Sequence, residues 1–191
     1  MKIILGTQSP RRKEIFSFFK LPFKQVTSHF DEDSVTETDP IKLAVAIAKG
    51  KAEALQPQYP DDLIVTADTV VSCKGKVYGK PKDRQEAHNM LSELSGKQHQ
   101  VITGLVGCLK GQVETIHERT EVTFDALDEK MKEQYLDQLH LLDKAGSYAI
   151  QGSGGVIVKQ IEGCYYNVMG LPIHALNILL TRFGVSLWDY L

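Results

Sequence analysis

Leu63-Ile64-Val65 is apolar at three consecutive positions, and the same extended stretch, read from Leu63 to Ser72, carries a carboxylate at Asp68. A strand apolar at successive positions is buried on both faces. Lys2 to Leu5 repeats that signature and breaks at once into Gly6-Thr7-Gln8-Ser9-Pro10. There Ser9 is suited to cap a helix and Pro10 to occupy its first position. Buried strands that run straight into capped helices predict an α/β chain, with Ile15, Phe16, Phe18 and Phe19 as the apolar face of the first helix.

The remaining elements follow from spacing and punctuation. Phe23 to Val26 predicts a strand. Asp39-Pro40 opens a helix with Ala44, Ala48, Lys51 and Leu55 at helical intervals, closed by Pro57 and Pro60. After the turn Lys74-Gly75-Lys76, Asp83 and Glu86 form a capping pair for a helix with core face Ala87, Met90, Leu91 and Leu94, stopped by Gly96. Val101 to Leu109, Val113 to Ile116 and Thr120 to Phe124 predict an antiparallel meander turning at Lys110-Gly111. Met131, Tyr135 and Leu139 mark another helix, Ser147 to Ile150 and Val156 to Ile161 two strands, and Pro172 the start of a last helix bearing Leu176, Leu179, Leu180 and Phe183. Parallel and antiparallel signals together predict a mixed sheet. No repeat or linker divides the 191 residues, so one domain over 1–191 is expected.

Charge excludes several classes. With 22 Lys and Arg against 24 Asp and Glu, the chain does not bind nucleic acid by bulk charge. Cys73, Cys108 and Cys164 are odd in number and widely separated, which suits reduced thiols in a cytoplasmic protein. The apolar run before Gly6 is too short for a signal peptide, and no later run reaches the ~20 residues of a membrane span. The near balance hides a local asymmetry. Residues 1–30 carry six Lys or Arg and only Glu14 as an acid, whereas residues 31–40 carry five acids and no base. Cations beside carboxylates suit a phosphate site next to a divalent cation, and equally two solvated surface segments.

Chemistry-bearing residues sit at the ends of these elements. Ser9, Arg11 and Arg12 at a helix start combine backbone N–H groups, a hydroxyl and guanidiniums that grip phosphate. Asp68, in an otherwise apolar strand, must be paired, hydrogen-bonded or metal-bound; it serves a cation or a proton transfer, or simply bonds a turn. Lys80, between Gly79 and Pro81, offers a point charge or marks a plain turn. Lys51 lies on an alanine- and leucine-lined face, where lysines also snorkel to water. Gln151 presents a donor and an acceptor from one amide, enough to read a base edge, or else it ends a strand. Asn167 to Pro172 has the character of a structural entry to the last helix.

Ser9-Pro10-Arg11-Arg12-Lys13-Glu14, Asp31-Glu32, Lys51-Ala52, Ala67-Asp68-Thr69, Gly79-Lys80-Pro81, Leu94-Ser95-Gly96, Val101-Ile102-Thr103-Gly104, Asp143-Lys144-Ala145-Gly146 and Asn167-Val168-Met169-Gly170-Leu171-Pro172 occur in the order of the Maf family. The chain resembles a Maf-type nucleoside triphosphate pyrophosphatase over essentially its whole length. The resemblance implies an elongated mixed β-sheet flanked by helices, with two lobes and a central cleft, similar to inosine triphosphate pyrophosphatases. It also implies hydrolysis of nucleoside triphosphates to monophosphate and pyrophosphate with a divalent metal, Mg²⁺ or Mn²⁺, and members often form homodimers. The family's proton acceptor falls on Asp68, and its specificity positions fall on Arg12, Thr69 and Gln151, with the residue types of the dTTP/UTP branch. Ser147 stands where alanine is more usual. On this basis Ser9, Arg11, Arg12, Lys51 and Lys80 are expected to line the phosphate path, and Glu32 and Asp68 to hold the metal. The alternative in another class is a nucleotide-binding regulator of cell division and septum formation.

Overall fold

The computed structural model describes residues 1–138 and 142–191. Its centre is β3 (Leu63–Cys73), the strand with the double apolar signature, and only Thr69 in it is not fully buried. On one edge β3 pairs with antiparallel β5 (Gln98–Leu109) from Ile64 to Ser72. The other edge is shared. β1 (Ile3–Gly6) runs parallel to Leu63–Thr66, and the short β4 (Lys76–Tyr78) covers Val71–Cys73. Between them the backbone of residues 67–70 has no strand beside it on that edge. The seven-stranded sheet is completed by β2 (Phe23–Val26), parallel to β1, and by antiparallel β6 (Gln112–Phe124) and β7 (Val158–Glu162). Two parallel pairings beside four antiparallel ones make the mixed α/β sheet that the sequence predicts.

Alternation along β3 sends its side chains to two different helical layers. Leu63, Val65 and Ala67 join Ile15 and Phe16 of α1 (Pro10–Phe16) and Leu176, Leu179 and Leu180 of α6 (Ile173–Thr181). Ile64, Thr66, Asp68 and Val70 face α2 (Pro40–Leu55): Ile64 packs with Ala48, Ala52 and Leu55, and Val70 with Ala44. Thr66 Oγ1 donates to the Ala48 carbonyl at 2.6 Å. Helix α2 can lie this close because Gly104 of β5, opposite Asp68 in the ladder, has no side chain. A Cβ there would come within 2.6 Å of the Val45 nitrogen and 2.7 Å of the Ala44 carbonyl carbon.

Beyond this centre, α3 (Arg84–Leu94) and α4 (Glu129–Gln138) cover the β4 end of the sheet, and α5 (Tyr165–Met169) precedes α6. Asp83 caps α3 by accepting from the Glu86 N–H at 2.8 Å, while the Glu86 carboxylate accepts from the Lys82 N–H, one residue before the expected partner. Several expectations are corrected. The two strands expected over 113–116 and 120–124 are one strand, because His117, Glu118 and Arg119 keep the ladder to β5, with His117 and Arg119 exposed and Glu118 half-buried. Residues 147–150 form no strand: a 3-10 turn at Ala145–Ser147, with Gly146 at φ 70°, redirects the chain. Helix α1 ends at Phe16, so Phe18 is exposed rather than part of its apolar face. Met131 is exposed as well, and α4 buries Lys132 and Tyr135 instead; Leu139 lies outside the described residues. Among the described residues no helix is long and apolar enough to cross a membrane.

The contact at Gly104 is backbone against backbone, which cannot rotate away. Gly104→Ala is therefore expected to cost about 1–3 kcal/mol, the usual penalty of overpacking, read as a lowered urea midpoint with an unchanged m-value. An unaffected midpoint would mean that α2 does not need this close approach.

Candidate active site

The unpaired stretch of β3 opens into a cleft of about 530 Å³. Its floor is Asp68 and Thr69, its near wall the loop from β1 into α1, and its rims are the loops around Glu32, Lys80 and Asp143–Gln151. The cleft lies beyond the end of the parallel β1–β3 pairing, which stops at Gly6 and Thr66. In open α/β sheets such ends are where ligands bind.

On the α2 face, Lys51 and Asp68 are each only 7% exposed. The Lys51 ammonium donates to Asp68 Oδ1 at 2.7 Å and meets Glu32 Oε1 at 2.8 Å. Glu32 Oε2 accepts in turn from Lys80 Nζ at 3.2 Å. Glu32 reaches this point because Asp31 caps the 3-10 turn Glu32–Ser34, and because the Phe30 ring lies against Gly50, where a Cβ would be 2.2 Å from the ring. Burial raises the Asp68 carboxyl above the ordinary range, an effect that Lys51 and Arg12 only partly offset. Burial also pushes Glu32 upward, but Lys51 and Lys80 outweigh it and hold that carboxyl below the ordinary range. Two neighbouring acids are thus driven in opposite directions.

On the α1 face, Thr7 Oγ1 accepts from the Ser9 N–H at 3.0 Å, and Ser9 Oγ caps α1 by accepting from the Arg12 N–H at 3.4 Å. Arg12 is tied into the protein. Its Nη2 donates to Thr69 Oγ1 at 2.9 Å and its Nε to the Gly170 carbonyl at 2.8 Å. Thr69 and Thr103 share a hydroxyl contact of 2.9 Å, and Thr103 donates to the Asn167 carbonyl at 3.3 Å. Two of Arg12's five N–H donors are thereby spent within the protein, and three, on Nη1 and Nη2, remain for a ligand. Arg11 keeps its side chain toward the cleft; desolvation lowers its pKa, which Asp143 partly restores. At the far end, Gln151 donates through Nε2 to the Glu14 carboxylate.

The structure brings Ser9, Arg11, Arg12, Glu32, Lys51, Asp68, Thr69, Lys80 and Gln151 into this one cleft. Sequence reasoning passed over Gly50 and gave no role of their own to Gly104 and Glu14, which it met inside longer motifs; Gly50 and Gly104 let Phe30 and α2 approach. The segment Asn167–Pro172 does more than introduce α6, since the Gly170 carbonyl holds Arg12. Glu32 and Asp68 fit a hard divalent cation, because both offer carboxylate oxygens and both already converge on one cationic nitrogen. Elsewhere among the described residues, His88, Glu129 and Glu133 also converge. There Lys132 pairs with Glu129, and Arg84 with Glu133.

A mixed α/β protein with a cationic cleft, two converging acids and an amide at the opposite end belongs to the class that handles phosphorylated ligands. The chain belongs to the Maf family: it matches the description "Maf-like protein" over residues 2–183. It is 45% identical to the dTTP/UTP pyrophosphatase of Chlamydia caviae over 100% of this chain and 98% of that protein. With the dTTP/UTP pyrophosphatase of Pyrococcus furiosus it shares 46% identity over 90% of each chain. A nucleoside triphosphate pyrophosphatase of Chlamydia muridarum is 43% identical over 100% of this chain and 98% of that protein. Among solved structures, the Ham1 protein of Staphylococcus aureus overlays 65% of this chain and 72% of its own at 10% identity, with a TM-score of 0.45.

Lys51→Met would leave Asp68 buried and unpaired. In metal-free buffer the Asp68 pKa, already raised, should rise further, and the Glu32 depression should shrink, both read from carboxyl ¹³C shifts against pH. A raised folded-state pKa penalises the ionised form, so the loss of stability, about 3–5 kcal/mol for a broken buried pair, should be largest above that pKa and shrink on acidification. An Asp68 that titrates at its ordinary value in this variant would contradict the electrostatics described.

Proposed function

We propose that this chain, acting as a single domain, hydrolyses dTTP and UTP to the nucleoside monophosphate and pyrophosphate in the cleft over β3. The observation that carries this is the buried Lys51–Asp68 pair, joined by the partly exposed Glu32 and set among further cations. The names of the curated relatives give the substrate class. A polyphosphate must have its charge neutralised before water can approach phosphorus, and catalysis in such chemistry is mainly positioning and charge stabilisation.

In this proposal Arg11, Lys51 and Lys80 face the phosphates, together with the Ser9 hydroxyl. Glu32 and Asp68 hold Mg²⁺ or Mn²⁺, which would supply Lewis-acid polarisation of a phosphoryl oxygen and a more acidic bound water. Asp68 accepts the proton of the attacking water, whose oxygen bonds to phosphorus as the anhydride bond to pyrophosphate breaks. A base must be both near its proton and ionised, and Lys51 and Arg12 favour the ionised form of Asp68 against its burial. The Arg12–Thr69–Thr103 chain holds the floor rigid beneath the nucleotide. Gln151 reads the base, its amide facing the N3–H and O4 edge of uracil or thymine.

The test is a panel of nucleoside triphosphates incubated with Mg²⁺ or Mn²⁺, with product identification. UMP or dTMP with pyrophosphate is expected; orthophosphate with a diphosphate would assign another hydrolase activity. Asp68→Asn should lower kcat by about 10²–10⁴ with nucleotide binding retained, and wild-type-like turnover would remove Asp68 from the chemistry.

A further inference from the structure

Gln151 is anchored from one side. Its Nε2 donates to Glu14 Oε2 at 3.3 Å and lies 3.5 Å from Oε1, so both carboxylate oxygens address the same amide nitrogen. A carboxylate only accepts, whereas an amide has one end that donates and one that accepts. Turning the amide over would set its oxygen against the two Glu14 oxygens with no proton between them. The contact therefore selects one of the two amide orientations. A primary amide has two N–H groups. With one spent on Glu14, the other and Oε1 remain as a donor–acceptor pair of fixed order.

That order bears on base choice. Uracil and thymine present a carbonyl at C4 and an N–H at N3, while cytosine presents an amino group at C4 and a bare nitrogen at N3. The two edges have opposite polarity. A glutamine free to turn over can satisfy either, and a glutamine held by a carboxylate satisfies only one. We propose that Glu14 is a positioning residue that fixes the polarity of the Gln151 amide and thereby makes the cleft select uracil and thymine over cytosine. The inference rests on the reading of Gln151 as the base-facing group given above.

The placement of Glu14 follows from helix geometry. Helix α1 presents Arg11 to the cleft near its start, and Glu14 lies three residues on. That is an axial rise of about 4.5 Å. The same rigid element thus addresses the polyanion at one end and the base reader at the other. Gln151 is presented by the segment that precedes the 3-10 turn Gly152–Ile157. Among the described residues, Glu14 is the partner the structure gives its amide.

The experiment compares kcat/KM for UTP and CTP in the wild type, Glu14→Gln, Gln151→Ala and the double variant. An amide at position 14 both donates and accepts, so it tolerates Gln151 in either orientation. Glu14→Gln should reduce the UTP-to-CTP ratio by up to about tenfold, the size of one net hydrogen bond. The change should come chiefly from a gain on CTP. In the Gln151→Ala background the same substitution should leave the ratio unmoved, since the two residues act as one unit. A merely structural role for Glu14 would lower both activities together at a constant ratio, and that result overturns the proposal. If Gln151→Ala shifts the ratio and Glu14→Gln does not, base reading stands and polarity control by Glu14 falls. If neither shifts it, the base-reading role of Gln151 fails, and this inference with it. A ratio that still responds to Glu14→Gln without Gln151 would also overturn it, because Glu14 would then act independently.

Discussion

The cleft depends on one ammonium group held between two carboxylates in a nearly dry place. Lys51 comes from a helix, Asp68 from a strand and Glu32 from a loop, and their charges meet within 3 Å of one nitrogen. Burying an ion is costly unless it is paired at close range, so the three elements have to be brought together accurately. Two glycines do this. Gly104 lets the α2 backbone rest on β5 beside Asp68, and Gly50 accepts the Phe30 ring that carries the Glu32 loop inward. The Thr66 hydroxyl, bonded to the Ala48 carbonyl, fixes the helix along the strand as well as above it.

The alternation of β3 then divides the work between two layers. Asp68 looks toward α2 and its charges, and the next residue, Thr69, looks toward α1 and Arg12. One strand therefore delivers adjacent side chains to opposite faces, and the cleft opens where the backbone between β1 and β4 is left without a neighbouring strand. Arg12 illustrates the cost of rigidity. Its hydrogen bonds to Thr69 and Gly170 lock the floor, and they withdraw donors that would otherwise be available to a ligand.

Much of this was legible beforehand where the signal is local. The Ser9 and Asp39 caps, the Asp83 cap and the Leu63–Ser72 strand all rest on interactions within a few residues. Misreadings fall where local pattern and tertiary context disagree. Residues 117–119 look too polar for a strand, yet the ladder to β5 holds them extended. Residues 147–150 have strand-like composition, yet among the described residues no strand pairs with them and Gly146 turns the chain instead. Met131 lies at helical spacing with Tyr135 but faces outward, because the sheet meets α4 on another side.

The sequence by itself determined which residue types were available for chemistry and in what order they came, since caps, turns and apolar runs are short-range features. It also made Asp68 an oddity that had to find a partner, because a carboxylate cannot be buried alone. Only the tertiary structure decided that the partner is Lys51 rather than Arg12, that Arg12 is tied to Thr69 and Gly170, and that Glu14 meets Gln151 across 137 residues of chain. Those pairings depend on which face of β3 each side chain takes and on how closely α2 can approach. Both are properties of packing between distant segments, set by the space left at Gly50 and Gly104.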